Sequence, residues 1–305
     1  MNSNIIDKIT LYIKNPLRII QYGCANGLFN LLSDRIVLKM AYYSFMHRTL
    51  NLDFPRTFNE KLQWLKLYNR NPEYTNMVDK FSVKEHVGRI IGNSHIIPTL
   101  GVWDSFDDIN FNDLPSQFVL KCTHDSGGIV ICKNKDLFDK EAAKRKLNRS
   151  LRRDYYKVWR EWPYKNVKHR IIAEKYMENS NGELEDYKFM CFNGKVKCCF
   201  TCSERFSDDG LKVTFYDNDW KIMPFERHYP ALKKEEVRPK SFEQMIYFAE
   251  LLSKDIPFVR IDFYEINDTP YFGEITFFPG SGFEEFTPEE WDEILGSWIE
   301  LPNYK

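Results

Sequence analysis

The strongest constraint in this chain is a pair of β-rich runs, Val259-Arg260-Ile261-Asp262-Phe263 and Phe272-Gly273-Glu274-Ile275-Thr276, on either side of the turn signal Asn267-Asp268. Apolar, β-branched runs about such a turn predict an antiparallel hairpin. Side chains alternate along a strand with period two, so Arg260, Asp262 and Tyr264 share one face of the first strand, while Glu274 and Thr276 share a face of the second. Two carboxylates and a guanidinium can therefore converge. Mg²⁺ takes one or two carboxylates together with substrate phosphates, and a nearby arginine can stabilise charge on a transferring phosphoryl group. The alternative is a surface hairpin with cross-strand charge pairs.

With 43% hydrophobic and 16% aromatic residues, a 305-residue chain can bury a large core and divide into two or three subdomains. A formal net charge of -1 gives no electrostatic case for nucleic acid. No apolar run approaches the twenty or so residues of a membrane span, and no signal peptide opens the chain, so the expected compartment is the cytoplasm. The seven cysteines agree, because an odd number partly inside strand-like runs suits reduced core thiols and not a disulfide framework. Cys199 and Cys202 form a CxxC, but zinc needs two more ligands and no second pair follows, although His228 is available in principle. Buried strand cysteine is the expected role.

The first seventy residues read as helical. Apolar residues recur at helical spacing through Ile5 to Ile13, Leu28 to Leu32 and Ile36 to Ala41, with Ser33-Asp34 a break and cap. Within residues 1–50, Lys8, Lys14, Arg18, Arg35, Lys39 and Arg48 stand against only Asp7 and Asp34, which fits either weak contact with an anionic membrane or a solvated basic face. Thr57 to Glu60 offers a capping box for the next helix. From residue 75 the pattern is mixed. Asp79 to Ile91, Lys140 to Tyr156 and Ser241 to Lys254 read as helices, and a last helix begins near Pro288 with proline in its first turn. Phe118 to Thr123, Ile129 to Lys133 and Arg170 to Met177 read as strands. Glu185 to Phe192 and Lys195 to Cys202 form a hairpin about Asn193-Gly194, and a second hairpin turns at Asn218-Asp219. The order predicts an α+β protein on antiparallel sheets.

A second constellation runs from Lys121 through Thr123-His124-Asp125-Ser126-Gly127-Gly128. A strand delivers the lysine, and glycines let backbone N–H groups approach an anion. It is no Walker loop, since GxxxxGK[ST] is absent. An ordinary hairpin turn is the plainer reading of that loop by itself.

Taken in order, these residues resemble the ATP-grasp superfamily. Asp79-Lys80, with Lys84 and Ile97-Pro98-Thr99, is similar to its first phosphate-binding lysine and the segment behind it. Lys121 with Thr123, His124, Ser126, Gly127 and Gly128 resembles the second lysine and the phosphate lid. Ile172 to Met177 looks like the hinge strand, in which Glu174 and the backbone at Lys175, Tyr176 and Met177 would meet adenine. Asp186, beyond Gly182, resembles the ribose-binding acid, and Lys188 joins the expected nucleotide contacts. Arg260 with Asp262, Glu274 and Pro279-Gly280 matches the signature in which arginine contacts phosphate and the acids bind Mg²⁺. Thr57 to Tyr68, Asp186 to Phe189, Phe192 to Gly194, Val259 to Tyr264 and Phe272 to Thr276 further resemble the TupA-like branch, named for teichuronopeptide biosynthesis. One departure is Thr276, where the superfamily usually has a metal-binding asparagine.

The resemblance implies an N-terminal helical region (1–78), a preceding segment (79–115), a small subdomain (116–177) and a large subdomain (178–305) clamping ATP and Mg²⁺. It implies a carboxylate–amine ligase working through an acylphosphate in bacterial surface-polysaccharide biosynthesis, on a small-molecule or lipid-linked glycan carrying a carboxylate, with an amine as second substrate. Lys80, Lys121 and Arg260 would neutralise phosphate charge, and Gly280-Ser281-Gly282 would offer backbone N–H groups to the substrate. A glycosyltransferase of the same pathways and a nucleotide-binding factor without turnover are the alternatives. His124, His169 and His228 are candidate acid–base groups, with structural roles as the plainer reading. The run Tyr155 to Trp162 could stack on sugar rings or pack as helix aromatics.

Overall fold

A computed structural model describes residues 15–179, 184–203 and 210–303; the run Ile5 to Ile13, Lys8, Lys14 and Gly182 lie outside them. The first helices among the described residues are α1 (Leu17–Ala25) and α2 (Asp34–Met46). The chain breaks at Ser33 as expected, but Ser33 makes no side-chain cap, and Leu28 to Leu32 is a turn where a helix was expected. The capping box forms: Thr57 accepts from the Glu60 N–H, and the Glu60 carboxylate accepts from the Thr57 N–H, opening α3 (Phe58–Tyr68). α4 (Glu73–Val78) and α5 (Ser82–Ile91) follow. The expected start of α5 at Asp79 is corrected, because the Asp79 carboxylate accepts from the Phe81 N–H at 2.9 Å and stands before the helix.

The smaller sheet has the order β1 (Thr99–Trp103), β4 (Ile171–Lys175), β2 (Phe118–Cys122), β3 (Ile129–Cys132), antiparallel throughout. Phe118, Leu120, Ile171 and Ala173 turn to one face and pack with Ala143 and Leu147 of α6 (Lys140–Leu151). Alternation leaves Lys121 and Glu174 on the opposite face. The helix expected to reach Tyr156 stops at Leu151; Asp154 then accepts from the Lys157 N–H and caps a separate α7 (Tyr155–Trp159).

The larger sheet has the order β10 (Thr269–Thr276), β9 (Phe258–Ile266), β5 (Glu185–Phe192), β6 (Lys195–Ser203), β7 (Lys212–Tyr216). Asn193 and Gly194 take φ of 50° and 77°, and Asn267 and Asp268 take 50° and 62°, as two-residue hairpin turns require. Phe189 and Phe263 pack against Phe242 and Phe248 of α8 (Phe242–Leu252). The turn at Asn218-Asp219 forms, but its return is a single bridge from Tyr216 to Ile222 and not a strand. β8 (Glu226–Arg227) pairs with β11 (Phe286–Thr287) ahead of α9 (Glu290–Ser297), and Pro288 closes a cis peptide bond before that helix instead of sitting in its first turn. Cys199 and Cys202 are both free thiols; three residues apart on β6, they point to opposite faces.

Residues of α3 join the large-sheet core. The Phe58 ring meets Phe258 edge-on at 4.9 Å, and Leu62 and Leu65 are buried beside it.

Register decides where Glu274 points. Phe272 pairs with Phe263, so in an unbroken ladder Gly273 would face Asp262 and Glu274 would turn into the core with Ile261. A bulge at Gly273 absorbs one residue, after which Glu274 pairs with Asp262 and Thr276 with Arg260. A Cβ on Gly273 would lie 3.0 Å from the Asp262 carbonyl oxygen, so a side chain there would force that backbone to give way by a few tenths of an ångström. Gly273→Val should therefore lower stability by about 1–3 kcal/mol in urea unfolding. An unchanged midpoint would show that the bulge does not depend on the missing side chain.

Candidate active site between the two sheets

The site face of the larger sheet carries Asp186 and Lys188 from β5, Arg260 and Asp262 from β9, and Glu274 and Thr276 from β10. Arg260 grips Asp262 with Nε and Nη2, each at 2.7 Å, and Nη2 also donates to Glu274 Oε1 at 2.8 Å. Lys188 approaches Asp262 from the other side at 2.9 Å and also pairs with Asp186. The convergence of two carboxylates and a guanidinium is thus present, and the Gly273 bulge makes it so. Thr276 Oγ1 lies 3.4 Å from Glu274 Oε1.

Burial pushes the Asp262 carboxyl upward, but Arg260 and Lys188 outweigh it and hold the group below its ordinary value. Asp186 goes the other way: burial dominates over Lys188 and raises it, and its Oδ1 is buried without a hydrogen-bond partner. Burial would lower Lys188, yet Asp262 and Asp186 keep it raised.

The smaller sheet contributes Glu174, held between Lys84 of α5 at 2.5 Å and Lys121 of β2 at 2.6 Å. Lys84 also donates to the Ile97 carbonyl at 2.7 Å. Lys80 is fixed by its N–H on the Thr123 carbonyl at 3.1 Å and by its ammonium on the Asp125 carbonyl. Between the sheets lies a cleft of about 330 Å³ lined by these charges, with Ser126, Ile97, Ile129, Tyr264 and Phe272 completing the wall. That volume is at the lower end of the range for small-molecule sites.

Of the expected nucleotide contacts, Lys80, Lys121, Ser126, Glu174, Asp186, Lys188, Asp262 and Glu274 line this cleft. Thr123 and His124 do not. Thr123 is fully buried and donates to the Lys168 carbonyl at 3.0 Å, while His124 stacks flat on His169 with ring centres 3.6 Å apart. Both side chains hold the stem of the loop. Gly127 has φ of 104°, and a side chain on Gly128 would collide with Ser150. The Lys175 N–H is spent on the Pro98 carbonyl at 3.0 Å, and Tyr176 lies beside the Lys133 ammonium; neither they nor Met177 line the cleft.

The turn Pro279–Gly282 follows β10, with Gly280 and Ser281 at φ of 53° and 54°. The Ser281 N–H donates to the Phe278 carbonyl at 2.8 Å, so this amide is not free to meet a substrate as expected. Its hydroxyl donates to Glu161 at 2.6 Å, and its carbonyl accepts from Lys66 at 2.8 Å and Gln63 at 3.1 Å. Lys66 was not singled out from the sequence, yet it is fully buried, and its ammonium also donates to the Trp159 carbonyl and Gln63 Oε1, each at 3.0 Å. Burial lowers its pKa to about 7, with Glu161 opposing; Glu161 is itself raised by burial, against Lys66 and Ser281. The polar stripe Asn59, Gln63, Lys66 at helical spacing is the only sequence signal, and such a stripe ordinarily faces water.

The donor set fits Mg²⁺ and phosphate. Asp262 and Glu274 stand opposite one another in the ladder, and the buried, unpartnered Asp186 oxygen adds to the acidic side. Lys80, Lys84 and Lys121 line the same cleft and supply positive charge.

Against the effect of burial, Lys121 and Lys84 hold Glu174 below its ordinary 4.5. A depressed folded-state value gives a contribution to stability that is full above 4.5 and is lost as pH falls through the lower folded value. Glu174→Gln should flatten that acid limb in a urea series against pH. A limb of unchanged slope would show that the two lysines do not depend on this carboxylate.

A family model for TupA-like ATP-grasp proteins matches residues 60–300. A search of curated proteins finds no match. Among solved structures, the D-alanine–D-alanine ligase from Bacillus anthracis complexed with ATP is similar at 16% identity and TM-score 0.38, over 66% of this chain and 54% of that one. An ATP-grasp RimK domain protein from Sphaerobacter thermophilus DSM 20745 is similar at 12% identity and TM-score 0.41, over 76% and 70%. The ATP-grasp ligase PsnB with minimal precursor, Mg and ADP is similar at 11% identity and TM-score 0.38, over 83% and 65%. The chain thus spans about half the length of the Bacillus anthracis ligase, 54%. These likenesses are remote, and the assignment rests on the match over residues 60–300: the chain belongs to the TupA-like ATP-grasp family.

Proposed function

We propose that the protein is an ATP- and Mg²⁺-dependent carboxylate–amine ligase that works through an acylphosphate in bacterial cell-surface polysaccharide biosynthesis. The observation that carries this reading is the cleft itself, lined by Lys80, Lys84 and Lys121 together with Asp262 and Glu274, the two acids that Arg260 grips. A substrate carboxylate oxygen attacks the γ-phosphorus and ADP leaves; an amine then attacks the acyl carbon, phosphate leaves, and one proton is released. Lys80 and Lys121 bind and orient the triphosphate, and Arg260 turns from its carboxylates to the transferring phosphoryl group. Asp262 and Glu274 would hold Mg²⁺, which would supply neutralisation of phosphate charge. Ser281, in the turn after β10 and anchored by Glu161 and Lys66, is the proposed contact for the acyl group.

The acyl substrate in this reading is a small-molecule or lipid-linked glycan of capsule, O-antigen or teichuronopeptide type, handled at the cytoplasmic face of the membrane. One observation favours a nucleotide-binding factor without turnover: Thr276 offers a hydroxyl where an amide carbonyl is usual, and a hydroxyl is the poorer metal ligand. Product analysis separates the readings, with ADP and phosphate from a ligase, nucleoside diphosphate from a glycosyltransferase, and neither from a binding factor.

Calorimetry should show Mg·ATP bound in preference to sugar nucleotides; tight binding of a sugar nucleotide without ATP binding would overturn the ligase reading. Glu274, 43% exposed, is the cleaner of the two acids to change, because Asp262→Asn also strips a buried arginine of its fork. Glu274→Gln should cut metal-dependent ADP release by at least about tenfold with the fold intact. Turnover equal to wild type would make the hairpin purely structural. Hydrogen exchange across Thr123 to Gly128 should slow when a non-hydrolysable ATP analogue is added, and unchanged exchange at saturation would remove the lid role.

A further inference from the structure

The exposed apolar side chains are not spread evenly over the molecule. Ile19 on α1, Leu28, Leu31 and Leu32 in the turn after it, and Ile36 and Tyr43 on α2 all stand out of the surface. Leu31 is exposed to 101% of its reference area and Leu28 to 72%, so neither is held by the fold. Phe29, in the same turn, instead packs inward beside Cys24, Val37 and Ala41. One ring thus anchors the turn while three leucines are raised from it. On α2, Val37, Leu38, Ala41 and Tyr42 are buried, and Ile36, Lys39 and Tyr43 recur on the opposite face.

Three exposed cations lie on the helices that carry this patch. Arg18, Arg35 and Lys39 are exposed on the same two helices, and Arg35 is engaged with Asp53 at 3.4 Å. The acid at the start of α2, Asp34, is turned away to Arg70 at 2.8 Å and Tyr156 at 2.6 Å. Among the described residues, Arg18 and Lys39 therefore have no carboxylate partner.

We propose that the α1–α2 turn is a membrane-docking surface, laying Leu28, Leu31 and Leu32 into the interface of an anionic phospholipid bilayer with Arg18 and Lys39 against the headgroups. Raised leucines enter the acyl boundary, and unpaired cations beside them meet lipid phosphate, so both features are used at once. A purely apolar partner would leave the cations without a role. No described helix is long and apolar enough to cross a membrane, so the contact is peripheral. The surface deepens the reading of a lipid-linked substrate and rests on it for its purpose, but vesicle binding is measured without turnover, so either can fail alone.

The test is co-sedimentation with vesicles of phosphatidylcholine alone and of phosphatidylcholine with phosphatidylglycerol. Wild-type protein should bind the anionic vesicles about tenfold more tightly at low salt, and added salt should reduce the difference. The double variant Leu28→Ser/Leu31→Ser should weaken that binding about tenfold, and Lys39→Glu should reduce the preference for anionic lipid. Both variants change exposed positions and should keep wild-type melting and Mg·ATP binding. Equal vesicle binding by wild type and the double leucine variant would overturn the proposal. So would absence of binding together with a concentration-dependent dimer in sedimentation velocity that the leucine variant abolishes, which would assign the patch to a second copy of the chain.

Discussion

Charge pairing within each wall of the cleft sets the site: Glu174 with Lys84 and Lys121 on one side, and Asp262 with Arg260 and Lys188 on the other. Glu174, Asp186, Asp262 and Glu274 share the space between the sheets with Lys80, Lys84, Lys121 and Lys188, and Arg260 binds two of the acids. An ion removed from water costs several kcal/mol unless it is met by an opposite charge and hydrogen bonds. Here Glu174 meets two lysines and Asp262 meets an arginine and a lysine. These pairs add little net stability, but they hold charges in place that phosphate oxygens and a divalent cation can compete for. In the proposed mechanism, the arginine clamped by two carboxylates would exchange them for a phosphoryl group once those carboxylates held a metal.

The turn that follows β10 is fixed by residues distant in sequence. Asn59, Gln63 and Lys66 of α3 reach the turn after β10 and α9: Asn59 Nδ2 donates to Asp292 at 2.9 Å, Gln63 Nε2 to the Gly282 carbonyl at 2.7 Å and Lys66 to the Ser281 carbonyl. Ser281 takes a left-handed conformation that costs a non-glycine residue about 1–3 kcal/mol. Its bonds to Lys66, Gln63 and Glu161 offset that cost. α3 is thereby tied to the turn that follows β10 and to α9.

Local signals in the sequence were read well where the chemistry is local. The Asn193-Gly194 and Asn267-Asp268 turns, the Thr57–Glu60 capping box and the antiparallel pairing all follow from residues a few positions apart. The Arg260, Asp262 and Glu274 set was legible as a group, but simple alternation from a two-residue turn would have sent Glu274 into the core; the strand glycine at 273 was the unread sign of the bulge. His124 was misplaced because nothing in its own loop reveals His169, which stacks on it. Lys66 was hidden for a related reason: a polar stripe beside an apolar one looks solvated until the turn that covers it is known. Asp79 and Asp154 show the usual difficulty of helix ends, where one side-chain bond moves the boundary.

The central claim is that the Arg260–Asp262–Glu274 hairpin is a metal and phosphate site held closed by its own salt bridges. The most direct test is a crystal structure of the protein with Mg²⁺ and a non-hydrolysable ATP analogue. The account predicts Mg²⁺ at about 2.0–2.1 Å from carboxylate oxygens of Asp262 and Glu274, with the Arg260 guanidinium moved onto phosphate oxygens and Lys80 and Lys121 in contact with the triphosphate. A nucleotide bound elsewhere, with the Arg260–Asp262 fork unchanged, would contradict it.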